Sequence, residues 1–235
     1  MQNKVQILST APLDESLINK VKEAGMHIDV LNFIETIPIL NEKTIQLIIQ
    51  LYSEQHTAIF TSVNAVQYLP EYNAQPNWKI YCIGHATRKA AANKFGENLI
   101  AGTADNAAKL ADEIIKGGIK TILFFCGDKR RDELSEKLGE ANIKVKELVV
   151  YATILKPQKV NEKYDGILFF SPSAVESFSS MNQQPATTKL FAIGSTTAGA
   201  IENMTNNEVI TSPVPDKKEL IATMLSYYES VLNSK

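Results

Sequence analysis

The sequence is poor in several residue types, and each shortage excludes a class of protein. It has 2 cysteines in 235 residues, so a disulfide framework is excluded, and Cys82 and Cys126 are predicted to be buried thiols in a reducing compartment. The net charge is only −2, so the protein lacks the strong positive electrostatic field that would favour binding to nucleic acid or to an acidic membrane surface. No apolar run approaches the roughly 20 residues of a membrane span, and the N-terminus lacks the apolar core of a secretion signal. We expect a cytoplasmic globular protein that binds neither nucleic acid nor membranes.

Sequence motifs for metals and nucleotide cofactors are also missing. The 3 histidines are scattered, and neither they nor the cysteines have metal-ligand spacing. Neither of the glycine-rich phosphate-binding motifs occurs, and no serine lies in the nucleophile elbow of a hydrolase. We therefore expect no metal, no cofactor and no activated serine.

The chain does contain an alternation of short β-branched runs with longer helical patterns. Continuous apolar runs such as TILFFCG and DGILFFS suit strands that are buried on both faces of a sheet. Their alternation with helices predicts βαβ units and parallel sheets. The predicted fold class is therefore α/β.

Internal repetition is the second strong signal. FTSVNAV lies over FFSPSAV with Ser62 on Ser171, an offset of 109, and KIYCIGHAT lies over KLFAIGSTT at an offset of 110. KVKEAGMHIDVLNFIET lies over KLGEANIKVKELVVYAT at an offset of 117. Matches in one order along the chain indicate a tandem duplication into two similar lobes. VLNFIETIPI and KELVVYATILKP are predicted to run side by side as the connection between the lobes.

The turns that follow the predicted strands are rich in small and hydroxyl residues. In an open parallel sheet ligands bind outside the carboxyl ends of the strands, where the first amides of the helices lack partners. Two rows of such turns across a cleft could hold a polyacidic ligand. The structural alternative is that Ser, Thr and Asn simply cap the helices. The three arginines, Arg88, Arg130 and Arg131, follow predicted strands too, where they could grip a carboxylate or be merely solvated.

Taken in order, these motifs resemble the uroporphyrinogen-III synthase family across nearly the whole chain. The resemblance is carried by AIFTSVNAV, YCIG followed by HAT, FFCGDKRRDEL, VVYAT, LFFSPSAVESF and FAIGSTTAGAI. It implies two flavodoxin-like doubly wound parallel-sheet lobes, internally duplicated and joined by a two-stranded linker. The lobes would be residues 1–35 with 158–235 and residues 40–148, with 30–39 and 147–157 as the linker strands.

The resemblance also implies a reaction, that of a lyase of porphyrin and haem biosynthesis. Its substrate would be hydroxymethylbilane, a linear tetrapyrrole with eight carboxylate arms. In the cleft between the lobes it would lose water and close into uroporphyrinogen III, with its last pyrrole ring inverted through a spiro intermediate. We expect a monomer that needs no cofactor.

Residue roles follow from the same resemblance. Tyr151, in VVYAT, matches the functional tyrosine of the family and would donate a proton to the leaving oxygen, unless it is only a packed strand tyrosine. An arginine often present in the first turn of the family is replaced here by Ala11, so another arginine would have to supply that charge. The candidate substrate-binding residues are Thr61, Ser62, Asn64, Gly84, Gly127, Ser171, Ser173, Ala174, Gly194, Thr196 and Thr197.

A protein of a different class would share these features. A two-lobed binding or sensor protein that closes on an acidic small molecule, without converting it, would present the same turns. Product formation is the observation that separates the two functions.

Overall fold

A computed structural model describes residues 4–71 and 75–233. The chain divides into two compact units, Met1–Glu35 with Ile154–Lys235 (unit 1) and Thr36–Thr153 (unit 2). The strands are β1 (Gln6–Ser9), β2 (His27–Val30), β3 (Ile34–Pro38), β4 (His56–Phe60), β5 (Trp78–Ile83), β6 (Ile100–Ala104), β7 (Thr121–Gly127), β8 (Lys144–Leu155), β9 (Gly166–Phe169), β10 (Lys189–Ala192) and β11 (Val209–Thr211). The helices are α1 (Glu15–Glu23), α2 (Glu42–Ser53), α3 (Val63–Gln67), α4 (His85–Phe95), α5 (Ala107–Lys116), α6 (Glu133–Glu140), α7 (Pro172–Ser179), α8 (Ser195–Glu202) and α9 (Lys217–Asn233), with a 3₁₀ turn at Glu97–Leu99.

Unit 1 is built on a five-stranded sheet in the order β11-β10-β9-β1-β2. Its strands pair in parallel, and β1 lies between β2 and β9. Leu8 of β1 belongs to the apolar cluster on one face of the sheet, and Ile7 belongs to the cluster on the other face. Because both faces are covered by helices, successive residues of the central strands must be apolar. The α/β class predicted from the sequence is confirmed.

Unit 2 contains a six-stranded sheet in the order β3-β8-β7-β4-β5-β6. Strands β4 to β8 pair in parallel. Edge strand β3 runs antiparallel to β8, because Ile39 N–H donates to the Val150 carbonyl at 3.2 Å while Lys156 N–H donates to the Phe33 carbonyl at 2.8 Å. The segments VLNFIETIPI and KELVVYATILKP therefore lie side by side, as predicted.

Helix ends follow local chemistry, and some differ from the predicted pattern. Gly25 adopts a φ of +78° after α1, which is the left-handed conformation that ends a helix. The pattern NAVQYLPEY suggested a longer helix than α3, which ends at Gln67 because Pro70 disfavours helical backbone in the residue before it.

Both cysteines are free and buried, which confirms that part of the sequence analysis. Cys82 lies in β5 and Cys126 lies in β7. Burial raises the pKa of each thiol to about 12. Both are therefore unreactive thiols of the core.

Candidate functional site

Two serines that the repeat superimposes begin helices in the two units. The Oγ of Ser62 accepts a hydrogen bond from Asn64 N–H at 3.2 Å, at the start of α3. The Oγ of Ser171 accepts one from Ala174 N–H at 3.1 Å, at the start of α7. Both serines have the extended backbone of an N-cap. Capping is therefore one role of each.

Tyr151 lies in β8 next to a β-bulge. Cys126 of β7 is opposite Val149, whereas Gly127 is opposite Tyr151, so Val150 is the extra residue. A bulge changes the direction of the side chains around it. Here the fully buried Val150 and the half-buried Tyr151 contact the same apolar cluster, although neighbouring residues of a regular strand point to opposite faces.

Gly127, the last residue of β7, makes room for the Tyr151 ring. A Cβ built on Gly127 would lie 2.5 Å from Cζ of Tyr151, 2.6 Å from Cε2 and 2.8 Å from Oη. Contacts this short do not occur between real atoms, so any side chain here would displace the phenol. The structure thus places Gly127 beneath Tyr151, in a position where its lack of a side chain is required.

Asp128 secures the backbone on both sides of Tyr151. Its N–H donates to the Tyr151 carbonyl at 3.0 Å, and its carboxylate accepts the N–H groups of Lys129 and Thr153 at 2.9 Å each. The carboxylate therefore organises the turn after β7, which explains why α6 begins only at Glu133 although the sequence pattern extends from Asp128. No motif in the sequence marks this role of Asp128.

The surroundings of the Tyr151 phenol raise its pKa. Burial raises its pKa above the ordinary value of 10, and nearby acidic groups act in the same direction. A hydrogen bond with Ser62 acts against this increase. Because the Ser62 oxygen already accepts the amide of Asn64, its hydroxyl hydrogen can point at the Tyr151 oxygen. When Ser62 donates in this way, the hydrogen of the phenol can be donated to a bound group.

A second tyrosine, Tyr68, packs against Tyr151 with ring centroids 6.0 Å apart and planes inclined by 41°. Its hydroxyl donates to the carbonyl of Thr36 at 2.6 Å and lies 3.0 Å from Thr36 Oγ1. Since Tyr68 has a single hydroxyl proton, Thr36 Oγ1 must be the donor in the second bond. Tyr68 thus ties the end of α3 to β3 beside Tyr151. No sequence motif marks Tyr68, because it lies inside the helical pattern NAVQYLPEY.

The other predicted residues of unit 2 occupy neighbouring turns. Thr61 is half-buried directly after β4, next to Ser62. Gly84 begins α4 with a φ of +80°, and its own N–H already donates to the carbonyl of Ala104 at 2.9 Å. No side chain caps α4, so the amides of its first turn are its potential anion-binding groups.

Unit 1 holds the remaining predicted residues, in the turns after β9 and β10. Ala174 and Thr197 are only 1% and 3% exposed, so their side chains pack in the core. Ser173 and Thr196 are half-buried in the first turns of α7 and α8. Gly194 precedes α8, which has no side-chain cap. Within this unit, Ser171, Ser173, Gly194 and Thr196 are the half-buried predicted residues that a ligand can reach.

Two of the three arginines are committed to ion pairs. Arg88 pairs with Glu97, and Arg130 pairs with Glu147. All three arginines belong to unit 2, whereas Ala11 belongs to unit 1. No arginine of unit 1 therefore supplies the charge that the family often places in the first turn.

The described residues contain neither a metal-binding cluster nor a membrane-spanning helix. Over residues 4–71 and 75–233, no three His, Cys, Asp or Glu side chains are grouped so that they could hold a metal ion. None of the helices in the described part of the chain combines the length and apolarity needed to cross a membrane.

Comparison with known proteins gives consistent results. The family model described as uroporphyrinogen-III synthase HemD matches residues 15–222. A uroporphyrinogen-III synthase of Saccharomyces cerevisiae is 27% identical over 229 residues, covering 84% of this chain and 78% of that protein. The enzyme of the same name from Schizosaccharomyces pombe is 28% identical over 119 residues, covering 47% of this chain and 45% of the relative.

Solved structures share the fold. A crystal structure of uroporphyrinogen-III synthetase from Helicobacter pylori superimposes with a TM-score of 0.66 at 20% identity, covering 95% of this chain and 99% of that one. A mutant uroporphyrinogen III synthase from Thermus thermophilus gives a TM-score of 0.65 at 15% identity, covering 97% and 99%.

Proposed function

Since the chain belongs to the uroporphyrinogen-III synthase family, whose members are lyases of haem biosynthesis, we propose that Tyr151 assists the loss of the hydroxyl group from hydroxymethylbilane. The substrate is a linear tetrapyrrole with eight carboxylate arms, and the product is uroporphyrinogen III. One observation carries the assignment. Burial raises the pKa of the Tyr151 phenol, so it carries its proton at neutral pH, and the neighbouring Ser62 hydroxyl acts to lower that pKa.

Release of the hydroxyl needs assistance because hydroxide is a poor leaving group. A phenol with a raised pKa is a weak acid, so Tyr151 acts first as a hydrogen-bond donor, and its proton follows as the C–O bond breaks and water departs. The hydrogen bond from Ser62 lowers the cost of the phenolate that remains. The far pyrrole ring then attacks the resulting cation through a spiro intermediate, and the proton released on ring closure restores the phenol.

The carboxylate arms are proposed to bind at the turns that follow the strands. Thr61, Ser173 and Thr196 are half-buried polar residues at such turns, and the helix amides next to them favour anions. When the flexible tetrapyrrole is held in one geometry, the ring closure with inversion becomes faster than the unassisted closure without inversion. Loss of any one of these hydroxyls should therefore weaken turnover without abolishing it.

The two units are proposed to be flavodoxin-like lobes that arose by tandem duplication. The offsets of 109 and 110 align β4, β5 and β6 of unit 2 with β9, β10 and β11 of unit 1. The offset of 117 aligns β1 and β2 of unit 1 with β7 and β8 of unit 2. In both sheets the corresponding strands occur in the same spatial order, which supports the proposal. When the five strands of unit 1 are numbered 1 to 5 along the chain, their order in the sheet is 2-1-3-4-5, which is the strand order of flavodoxin. The lobes would be residues 1–35 with 158–235 and residues 40–148, with 30–39 and 147–157 as linker strands.

The protein is further proposed to act as a cytoplasmic monomer. The two buried, free thiols are compatible with a reducing compartment. Light scattering on the purified protein at micromolar concentration should give a mass near 26.0 kDa, and a mass near twice that value would overturn the monomer.

The function is tested by incubating the purified protein with freshly made hydroxymethylbilane, oxidising the products and separating the type I and type III isomers. We expect type III in excess. Tyr151→Phe should lower kcat by about 100-fold or more, because a positioned proton donor contributes about 10²–10⁴-fold. Tyr81→Phe is the matched control, since Tyr81 packs on the opposite face of the same sheet and its loss should leave kcat unchanged. If only the type I isomer forms, at the rate seen without protein, the protein does not catalyse the closure and is a binding protein instead.

A further inference from the structure

The strand order of unit 1 reverses between β1 and β9. From β1 the chain continues to β2 on one side, and from β9 it continues to β10 and β11 on the other. Connections that leave in opposite directions open a crevice at the carboxyl ends of such a strand pair. The turn after β1 contains Pro12, and Phe170 directly follows β9.

The ammonium group of Lys217, the first residue of α9, reaches this crevice. Its Nζ donates a hydrogen bond to the Pro12 carbonyl at 2.7 Å and lies 5.7 Å from the centre of the Phe170 ring. An ammonium has three hydrogens, so two remain for other acceptors. Among the described residues, no carboxylate forms an ion pair with Lys217 within 4.0 Å.

The surroundings of Lys217 favour an anionic ligand. Partial burial lowers the pKa of its ammonium, and the nearby Asp14 offsets this only in part. A cation whose charge is disfavoured in this way is stabilised when an anion binds to it. The amides at the start of α9 are not the binding group, because the carboxylate of Asp216 already accepts the N–H of Lys218 at 2.7 Å and of Glu219 at 3.3 Å.

Pro12 also forms part of the wall of a concave pocket of about 480 Å³ in unit 1. This volume lies within the range of about 300–1,000 Å³ that is usual for small-molecule sites. The wall presents polar and apolar surface in about equal parts, and its apolar residues include Leu13, Val30, Leu31 and Pro157. These apolar residues suit the face of an aromatic ring.

Two polar residues that line this pocket form bonds within unit 1. Gln158 donates to the carbonyl of Asn32 at 2.9 Å, which joins two sides of the wall. Lys156 pairs with Glu35 at 3.4 Å. Lys217 is therefore the cation best placed to hold a charged group that enters next to Pro12.

We propose that Lys217 and the adjoining pocket form a subsite for an aromatic ring that carries carboxylate arms. The ring lies against the apolar residues of the wall, and one carboxylate pairs with the ammonium of Lys217. This proposal rests on the proposed function. The ligand of the subsite is then one pyrrole ring of the tetrapyrrole, with its acetate and propionate arms.

Kinetics on the full chain test the subsite. Lys217→Gln should raise the KM for hydroxymethylbilane about tenfold, equivalent to about 1.4 kcal/mol, and change kcat less than twofold. Lys218→Gln removes the same charge from the next position of α9 and should leave both constants unchanged. Lys217→Arg, which keeps the charge, should restore most of the affinity. Equal KM values for the Lys217→Gln and Lys218→Gln variants would overturn the subsite.

A direct binding measurement keeps this test separate from the proposed function. The probe is uroporphyrin III, a stable aromatic tetrapyrrole with eight carboxylates, titrated against each variant and followed by its fluorescence. Weaker binding by Lys217→Gln than by Lys218→Gln supports the subsite even if the wild-type protein forms no type III isomer. Equal binding by both variants, or no binding by the wild-type protein, overturns it. Far-ultraviolet circular dichroism of each variant checks that the fold is intact.

Discussion

The ring of Tyr151 rests on the backbone of Gly127, so closely that a single methyl group at Gly127 would lie 2.5 Å from Cζ of the phenol. The two residues are opposite each other in β7 and β8, just past the bulge at Val150. The position of the proposed proton donor therefore depends on a residue with no side chain of its own.

Gly127→Ala should displace the phenol and lower kcat by about 10- to 100-fold, because a displacement of about 1 Å in a catalytic group has effects of this size. Gly139→Ala is the matched control. A Cβ at the exposed Gly139 in α6 would meet no atom within 4 Å, so that variant should keep full activity and gain about 0.5–1 kcal/mol in stability. Wild-type kcat in Gly127→Ala would contradict the proposed placement of Tyr151.

Three substitutions at Ser62 separate its cap from its hydrogen bond to Tyr151. Ser62→Ala removes both, Ser62→Asp keeps only the cap, and Ser62→Thr keeps both. Since the hydrogen bond lowers the pKa of Tyr151, its loss in the Ala and Asp variants should raise that pKa further. The measurement is alkaline titration of phenolate absorbance, with the curve of Tyr151→Phe subtracted.

Only Ser62→Ala should also lose about 1 kcal/mol of stability, the usual effect of a missing cap. A Tyr151 pKa that is the same in all three variants would exclude a hydrogen bond from Ser62.

Ser171→Asp tests whether the turn after β9 binds a carboxylate arm. Aspartate caps helices as well as serine does, so the free energy of unfolding should stay within about 0.5 kcal/mol of wild type. Its negative charge should repel an arm and raise the KM for hydroxymethylbilane several-fold. Ser171→Ala should show the opposite combination, with stability lower by about 1 kcal/mol and a smaller change in KM. An unchanged KM in Ser171→Asp would mean that Ser171 caps α7 but does not bind a carboxylate arm.

The buried thiols of Cys82 and Cys126 should make stability fall in alkaline solution. Burial raises their pKa to about 12 from an ordinary value near 9, so above pH 9 the unfolded chain loses protons that the folded chain keeps. Each thiol should then lower the free energy of unfolding by up to about 1.4 kcal/mol per pH unit, until the folded thiols ionise near pH 12.

Urea denaturation between pH 8.5 and pH 9.5, below the ordinary tyrosine pKa of about 10, measures this slope. The double variant Cys82→Ala with Cys126→Ala should show a shallower decline over the same interval. Equal slopes for the two proteins would mean that the thiols ionise as easily in the folded chain as in the unfolded one.

Much of the fold was predictable because it depends on short-range patterns. Apolar runs such as TILFFCG require burial on both faces, and the left-handed Gly25 marks the end of α1. The adjacency of β3 and β8 was predictable on a different ground, because both strand-like segments lie at the seams of the internal repeat.

The details around Tyr151 were not predictable, because they depend on long-range register. The bulge at Val150 arises from the pairing of β7 with β8, and no local signal in VVYAT reveals it. Tyr68 reaches Thr36 across 32 positions of sequence. Likewise Lys217 and Pro12 are separated by 205 positions, so their contact depends on the complete sheet of unit 1.

Unit 1 is assembled from two distant stretches of chain, and this affects its synthesis on the ribosome. Strand β1 lies between β2 and β9, and Gln6 N–H bonds to the carboxylate of Asp165, 159 positions further on. At about 5–20 residues per second, β1 therefore waits roughly 8 to 30 s for its second neighbour. Unit 2 is continuous and emerges whole during that interval. The nascent chain thus completes its second unit before its first, and carries an apolar, half-paired strand while it does so.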